Sequence, residues 1–363
     1  MHKVFLIDIV PVDLDPYEIN YRFLELENLV KTYWWAIILK KYQRRAKPDY
    51  KTFIWKWKLE EIKHQMEMEW ADLLIVGDNL KWSQIYNIEE TLRPIWAKVW
   101  DRIDLILKIF EKNAKSTESR LQTELAAIKH MWPRIFGMWM DLSRQWWWIW
   151  TRWKWETNVQ IMKKHIKDSE KKIEKKLKQY SKTRQIHRES RIKKWLSTAS
   201  IVWYTNAGKS TLLNSITKKW SLAENKLFAT LWTSVGSFYI RKWDKWTEVL
   251  LNDTIGFISN LPPQLIKSFA STLEDSIESQ LLIHLIDSTD KKVWEKIKIV
   301  DKILNEIWAD QKRLYVFNKI DELNEEELDK IKSEFEYLNP LFISAYKKIW
   351  LDELKDKIAD ILI

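Results

Sequence analysis

The sequence predicts an α/β protein in three parts: an N-terminal α/β domain with a parallel sheet at residues 1–110, a long antiparallel helical hairpin at 111–196, and a second α/β domain at 197–363. Strand-like and helix-like runs alternate in the first part, apolar residues recur every seven positions in the second, and a strand–loop–helix pattern ending in Gly-Lys-Ser opens the third. A chain of 363 residues is long enough to form a core in each α/β part.

The N-terminal part alternates short apolar runs with helical patterns. Strand-like runs lie at residues 4–9, 36–39 and 73–76, and helical patterns include residues 16–32 and 59–69. This rhythm is typical of βαβ units, in which a helix connects two parallel strands. The first part is therefore predicted to be a small domain with a parallel sheet.

The middle part carries two long helical patterns. The first covers residues 102–131, and the second covers 157–194. Apolar residues recur in each with the spacing of a packed helical seam. They are Leu121, Leu125 and Ile128 in the first helix and Val159, Ile166, Ile173 and Tyr180 in the second. We expect an antiparallel hairpin whose tip is a tryptophan-rich loop at 142–157.

Charge is concentrated in the second of these helices. The chain has a formal charge of +10, and residues 152–194 contain sixteen Lys and Arg against five Asp and Glu. This basic arm predicts a polyanionic partner, and a nucleic acid is favoured over a membrane surface. The alternative interpretation is a charged helix that only faces solvent. The absence of cysteine excludes disulfides and thiolate metal sites. We expect a cytoplasmic protein, because no apolar run is long enough for a signal peptide or a membrane span.

The tryptophan content is unusual. The chain has 25 Trp and 5 Gly, whereas average usage of about 7% would give roughly 25 glycines. Tryptophan also stands where turns favour a residue with positive φ, as at 242–247 and 146–155. We hypothesise that most of these positions are glycine in the native protein, through a UGA codon that some genetic codes assign to Trp and others to Gly. The alternative is a protein that is truly rich in tryptophan.

Residues 201–211 form the pattern of a phosphate-binding loop. Such a loop surrounds a β-phosphate with backbone N–H groups, while a lysine reaches the β- and γ-oxygens and a hydroxyl binds Mg²⁺. Gly208 supplies the second glycine of the loop pattern, Lys209 the lysine and Ser210 the hydroxyl. Trp203 stands where the pattern has its first glycine. The candidate nucleotide-binding residues here are Trp203, Tyr204, Thr205, Asn206, Ala207, Gly208, Lys209, Ser210 and Thr211.

Two further motifs follow strand-like runs. Asp253-Thr254-Ile255-Gly256 predicts a Mg²⁺ and γ-phosphate sensor, in which Asp253 holds a Mg²⁺-bound water and the Gly256 N–H contacts the phosphate. In Asn318-Lys319-Ile320-Asp321, the Asp321 carboxylate can accept hydrogen bonds from guanine N1–H and its 2-amino group, which adenine lacks. Ser344, Ala345 and Tyr346 are expected under the base. Together the motifs predict binding of GTP and GDP with Mg²⁺.

The segment Phe228, Ala229, Thr230, Leu231 and Trp232 is the candidate first switch. Thr230 is chosen to complete the Mg²⁺ coordination, with Thr233 as the alternative, so the predicted metal ligands are Ser210, Thr230 and, through water, Asp253. Phe257 stands where many small GTPases have a water-orienting Gln. We therefore expect contacts to the transition state from Lys209, Thr230 and Gly256. We expect a partner or K⁺ to complete catalysis. Asn206 is a candidate K⁺ ligand or only shapes the loop.

Together these motifs resemble the HflX family of ribosome-associated GTPases, over essentially the whole chain. Tryptophan departs from the family's glycines in the phosphate loop, in the N-terminal domain and at the hairpin tip. The matching segments are residues 53–59, 101–110, 121–126, 133–137, 142–157 and 253–262, and the departures are Trp55, Trp57, Trp146, Trp147, Trp148, Trp150, Trp153, Trp155 and Trp203.

The resemblance implies a TRAFAC-type GTPase domain and a monomer that binds the large ribosomal subunit and splits or rescues stalled or idle ribosomes. The basic hairpin would contact ribosomal RNA phosphates, with Arg144, Arg152 and Lys154 at its tip. Three alternatives stay open: another RNA-acting GTPase such as a ribosome-assembly factor, a non-hydrolysing hibernation-type ribosome-binding factor, and ATP-driven RNA remodelling by the N-terminal domain. The last lacks a second phosphate loop in the sequence.

Overall fold

The computed structural model describes residues 2–33, 35–114, 116–145, 149–193, 196–205, 207–217, 234–242, 245–253, 256 and 278–362, with side chains omitted at 132–145, 149–160, 187–193, 234, 242 and 245. The chain forms two compact units, one from residues 1–112 and 120–177, the other from 113–119 and 178–363. Within the described residues, none of the helices combines the length and apolar composition that a membrane span needs.

The first unit contains a four-stranded parallel sheet in the order β2-β1-β3-β4. The central strand β1 is buried along most of its length, because its sequence KVFLIDIV supplies apolar side chains to both faces. The strands are β1 (Lys3–Val10), β2 (Ala36–Arg44), β3 (Leu73–Val76) and β4 (Lys98–Trp100). The predicted parallel sheet is confirmed, although β4 was not foreseen, since three residues are too few to show a pattern.

Helices connect these strands and cover the sheet. Helix α1 begins after Asp15, whose side chain accepts the Tyr17 N–H, and has Pro16 at its first position. Helix α2 ends at Trp70, which has a left-handed backbone. The helices are α1 (Pro16–Thr32), α2 (Lys56–Glu69), α3 (Trp82–Leu92) and α4 (Arg102–Asn113). Their inner faces complete a core that includes Phe5, Ile7, Leu59, Ile62 and Leu74.

The hairpin consists of α5 (Thr117–Gln145) and α6 (Ile149–Lys193). The predicted helix at 102–131 is interrupted between α4 and α5, because the Ser116 hydroxyl accepts the Ser119 N–H and caps a new helix. Leu121, Leu125 and Ile173 pack together, as expected, with Ile128 and Leu177 beside them.

Two predictions about the hairpin are wrong. Tyr180 is not a seam residue: its side chain is exposed and Leu177, four residues after Ile173, packs instead. Residues 142–145 and 149–157 are helical rather than a loop, while Trp146, Trp147 and Trp148 lie outside the described residues. Tryptophan is a tolerable helix residue, whereas glycine costs about 1 kcal/mol per position, so the chain with tryptophan has little to interrupt the helix.

The second unit contains a six-stranded sheet in the order β10-β9-β8-β5-β7-β6, parallel except for the β6–β7 hairpin. Its strands are β5 (Ser197–Trp203), β6 (Ser234–Lys242), β7 (Lys245–Asp253), β8 (Leu281–Asp287), β9 (Lys312–Asn318) and β10 (Leu341–Phe342). Its helices are α7 (Lys209–Ile216), α8 (Val293–Glu306), α9 (Glu325–Glu334) and α10 (Leu351–Leu362). The predicted α/β domain is confirmed, and β5 and α7 form the strand–loop–helix pattern that opens it.

Candidate nucleotide-binding site

The predicted motifs meet at one edge of the six-stranded sheet. Strands β5, β7, β9 and β10 run parallel, so their carboxyl ends lie on the same side, where ligands of open α/β sheets bind. Asp253 ends β7 and is paired in register with Ile201 of β5. Asn318 ends β9 opposite Asp287, which ends β8. The phosphate-loop, DxxG and NKxD segments thus follow strand ends that the sheet brings together.

The phosphate loop joins β5 to α7. Trp203, Tyr204, Thr205 and Ala207 are buried, and Asn206 lies outside the described residues. Gly208 precedes α7 with φ +86°, and a Cβ there would lie 2.4 Å from Asn318 Nδ2. Only glycine fits this backbone and this contact. Lys209, Ser210 and Thr211 form the first turn of α7, where backbone N–H groups favour an anion.

Lys209 and Asp253 form a buried ion pair. The Lys209 ammonium also lies 4.5 Å from the centroid of the Trp203 ring. Burial lowers the pKa of Lys209, and the negative charge of Asp253 opposes that shift. The lysine that would bind phosphate oxygens therefore lies between a carboxylate and an indole.

Trp203 also reaches the DxxG motif. A Cβ placed on Gly256 would lie 2.6 Å from the indole nitrogen of Trp203. Because the same ring contacts Lys209, the indole fills the space between the lysine of the phosphate loop and the Gly256 backbone. This is the space that a terminal phosphate would need in order to contact both groups.

Asn318 connects three segments of the site. Its Nδ2 donates to the Ala207 carbonyl at 2.9 Å, and its Oδ1 accepts the Ala345 N–H at 2.9 Å. Its own carbonyl accepts the backbone N–H and hydroxyl of Ser288. The buried amide thus ties the phosphate loop to the Ser344–Ala345 segment, which places the base-binding residues relative to the phosphate-binding ones.

Sequence reasoning missed three residues beside the NKxD motif, namely Asp287, Ser288 and Thr289. Lys319, with φ 69°, forms an ion pair with Asp287 at 2.5 Å, and Asp287 also accepts the backbone N–H and hydroxyl of Thr289. The available signal was the polar pair Asp287-Ser288 directly after the apolar run of β8.

The base-binding candidates differ in exposure. Asp321 lies exposed in a short 3₁₀ helix, Ile320–Glu322, and Tyr346 is exposed after the buried Ser344 and Ala345. An exposed carboxylate beside a buried framework can accept hydrogen bonds from a base edge. The other candidates, Phe228, Ala229, Thr230, Leu231, Trp232, Thr254 and Ile255, lie outside the described residues.

A separate polar cluster lies in the first unit. Asp101, Asp104 and His130 are close enough to share a cation. Asp101 accepts the N–H groups of Leu80 and Asp104, while Asp104 accepts the Asp101 N–H. These bonds fix the start of α4, and the cluster is explained as a helix cap paired with His130.

Family models match most of the chain. Residues 20–111 match the GTP-binding GTPase N-terminal region, residues 113–191 match the GTP-binding GTPase middle region, and residues 198–319 match the 50S ribosome-binding GTPase family. The three matches follow one another in the order of the sheet, the hairpin and the second unit.

Individual relatives agree with these models. The chain is 42% identical over 307 residues to "GTPase HflX" of Caldanaerobacter subterraneus subsp. tengcongensis, covering 84% of this chain and 69% of the relative. It is 36% identical over 352 residues to "GTPase HflX" of Alkalihalophilus pseudofirmus, covering 97% and 81%. A crystal structure of a GTP-binding protein from Sulfolobus solfataricus in complex with GDP has a TM-score of 0.51 and 27% identity, covering 100% of this chain and 99% of that chain.

Proposed function

This chain belongs to the HflX family of GTPases, and we propose that it binds the large ribosomal subunit and uses its GTPase cycle to split or rescue stalled or idle ribosomes. GTP binding and hydrolysis follow from the family. Association with the large subunit is supported by the match of residues 198–319 to the 50S ribosome-binding GTPases.

The observation that carries the proposal is the basic face of α6. Lys164, Lys167, Lys171, Lys172, Lys175, Lys176, Lys178 and Lys182 are exposed on this helix. Ile173 and Leu177 face α5, so the hairpin core leaves these ammonium groups available to a polyanion. Such contacts with RNA phosphates release counterions and weaken with salt, without reading sequence.

The nucleotide-binding residues would act in distinct ways. Lys209 would exchange its ion pair with Asp253 for the phosphate oxygens, and the first turn of α7 would donate N–H groups to them. The hydroxyl of Ser210 and the buried Asp253 carboxylate, through a water molecule, form a hard oxygen donor set that fits Mg²⁺, with Thr230 as the proposed third ligand. Mg²⁺ would neutralise the charge that develops on the phosphates.

Base recognition and catalysis follow from the same framework. Asn318 holds the phosphate loop and the Ala345 segment together, and Asp321 would accept the two guanine donors. Since Phe257 offers no polar group to orient water, we expect slow hydrolysis until the ribosome or K⁺, held by Asn206, completes the site. GTP would order the segments around Thr230 and Gly256 and thereby couple nucleotide state to docking.

The test is sedimentation with purified ribosomal subunits. A variant with Glu at Lys171, Lys172, Lys175 and Lys176 reverses four exposed charges on α6. Residues 171 and 175, and residues 172 and 176, carry like charges both before and after the substitution, so these two i,i+4 pairs are equally repulsive in the two helices. The matched control reverses four exposed lysines on α8 and α9, namely Lys298, Lys302, Lys330 and Lys332.

Every protein compared carries Trp203→Gly, because the Trp203 indole fills the space beside Lys209 and Gly256. We expect the α6 variant to lose large-subunit binding while it keeps its GTP affinity, and the control to keep both. Wild-type binding should fall as salt rises, and addition of subunits should raise GTP turnover and split 70S particles. Unchanged binding by the α6 variant would remove the arm from the mechanism. Binding with turnover that stays at the basal rate would instead favour a non-hydrolysing hibernation-type factor.

A further inference from the structure

The tryptophan residues of this chain occupy backbone conformations that favour glycine. Among the described residues, eight that are not glycine have φ between 46° and 69°, and four of them are Trp70, Trp96, Trp308 and Trp350. Tryptophan makes up about one residue in fourteen of the chain, so chance would place fewer than one among eight. A bulky residue in the left-handed region is an outlier, whereas glycine adopts it without a steric penalty.

Trp70 and Trp308 lie in the helix-ending motif that most strongly favours glycine. After α2, the Trp70 N–H donates to the Glu67 carbonyl at 3.3 Å and the Ala71 N–H donates to the Met66 carbonyl at 2.8 Å. After α8, Trp308 and Ala309 donate in the same pattern at 3.1 and 3.0 Å. This pair of bonds defines a Schellman motif, in which the left-handed residue is usually glycine.

These indoles contribute little packing that would offset the strain. Trp70, Trp96, Trp308 and Trp350 are 60–89% exposed. Tryptophan normally buries most of its large apolar surface, so an exposed ring at a strained position has neither a packing nor a backbone reason to be there.

Position 203 gives an independent observation. The Trp203 side chain is buried within the phosphate loop, against Lys209 and next to the Gly256 backbone. With glycine, the chain would present backbone N–H groups and open space there, and Lys209 could reach phosphate oxygens. The residue at position 203 thus determines whether the phosphate site is blocked, as with tryptophan, or open to a nucleotide, as with glycine.

We propose that glycine occupies positions 70, 96, 203, 308 and 350 in the native protein, and that glycine at 203 opens the phosphate site to GTP and GDP. A UGA codon that the source organism reads as glycine would explain the tryptophan both at the exposed positions and in the buried phosphate loop. The proposal does not depend on the ribosomal role, because it concerns the identity of five residues and the binding of a nucleotide.

The decisive experiment is peptide mass spectrometry of the protein isolated from its source organism. Peptides that cover the five positions distinguish glycine from tryptophan directly by mass. Glycine at all five positions supports the proposal, and tryptophan at any one of them overturns it.

The consequence for binding is tested with two recombinant proteins of otherwise identical sequence. The chain with Trp203 should show no measurable GDP binding by calorimetry, and Trp203→Gly should restore binding with one nucleotide per chain. Trp308→Gly, at an exposed position outside the site, is the matched control and should restore nothing. Equal GDP affinity with Trp203 and Gly would refute the blocked site, whatever the ribosome-binding result.

Discussion

Position 308 offers a quantitative test of the left-handed backbone. In the recombinant chain that carries Trp308, we compare Trp308→Gly with Trp308→Ala. The left-handed conformation costs an L-residue about 1–2 kcal/mol, and alanine keeps that cost while it removes the indole. Glycine avoids the cost but loses about 0.5–1 kcal/mol through the greater freedom of its unfolded chain. Glycine should therefore be more stable than alanine by about 1 kcal/mol.

The matched control lies inside the same helix. Lys298 is exposed within α8, where the backbone is helical, so the preference there should invert. Lys298→Ala should be more stable than Lys298→Gly by about 1 kcal/mol, because glycine is the poorer helix former. Glycine and alanine both lack the native side chain, so the comparison between them at each position excludes the effect of losing the Trp308 or Lys298 side chain.

The assay is urea-induced unfolding, in which the urea concentration at the midpoint is measured for each variant. The dependence of the unfolding free energy on urea concentration is also compared, so that a shift in midpoint can be assigned to stability. For a unit of this size, about 1 kcal/mol corresponds to about 2–4 °C in a thermal melt. The predicted result is a sign change between positions 308 and 298. If alanine equals or exceeds glycine at position 308, the left-handed strain is not real and the helix-end argument for glycine fails.

Three further predictions concern the site and the two units. In a chain that carries Trp203→Gly, Asp321→Asn should lower GTP affinity by about 100-fold or more and raise XTP affinity, as titration of both nucleotides would show, since two hydrogen bonds to a carboxylate are replaced. Asn318→Ala should cost about 1–3 kcal/mol in urea unfolding, because the Ala207 carbonyl and Ala345 N–H lose buried partners; a neutral result would contradict its bracing role. Burial raises the pKa of Asp8 from 3.8 to about 6, against the opposing effect of Arg22, so stability should fall as pH rises from about 4 to about 6, by at most about 3 kcal/mol, and Asp8→Asn should remove this slope.

The motifs were predictable from the sequence because each depends on local residue order. A strand end followed by Gly-Lys-Ser, Asp-x-x-Gly or Asn-Lys-x-Asp fixes a loop whose chemistry is set by three or four residues. The strand of Leu73–Val76 was predicted to the residue, since its apolar run lies between Asp72 and Gly77. The parallel sheets followed from the alternation of strands and helices.

Contacts between distant residues were not predictable in the same way. Asn318 was predicted as part of a base-binding motif, but its bonds to Ala207 and Ala345 depend on the three-dimensional approach of two loops. The ion pair of Asp287 with Lys319 likewise joins neighbouring strand ends that lie far apart in sequence. Tyr180 shows the converse error, because a seven-residue repeat extended past Ile173 no longer follows the face that packs on α5.

The identity of the residues at the hairpin tip also affects the helix there. Six tryptophans lie between residues 146 and 155, and helix covers 149–157. Three of them, Trp150, Trp153 and Trp155, lie in this helix, and glycine at these three positions would disfavour it by up to about 1 kcal/mol each, about 3 kcal/mol at most. Glycine at these positions would therefore weaken the helix at the tip. A backbone without side chains at those three positions can approach an RNA backbone closely, and Arg152 and Lys154 would be left to bind its phosphates. The residue change that opens the phosphate site would thus also expose the backbone at the end of the arm that we propose binds RNA.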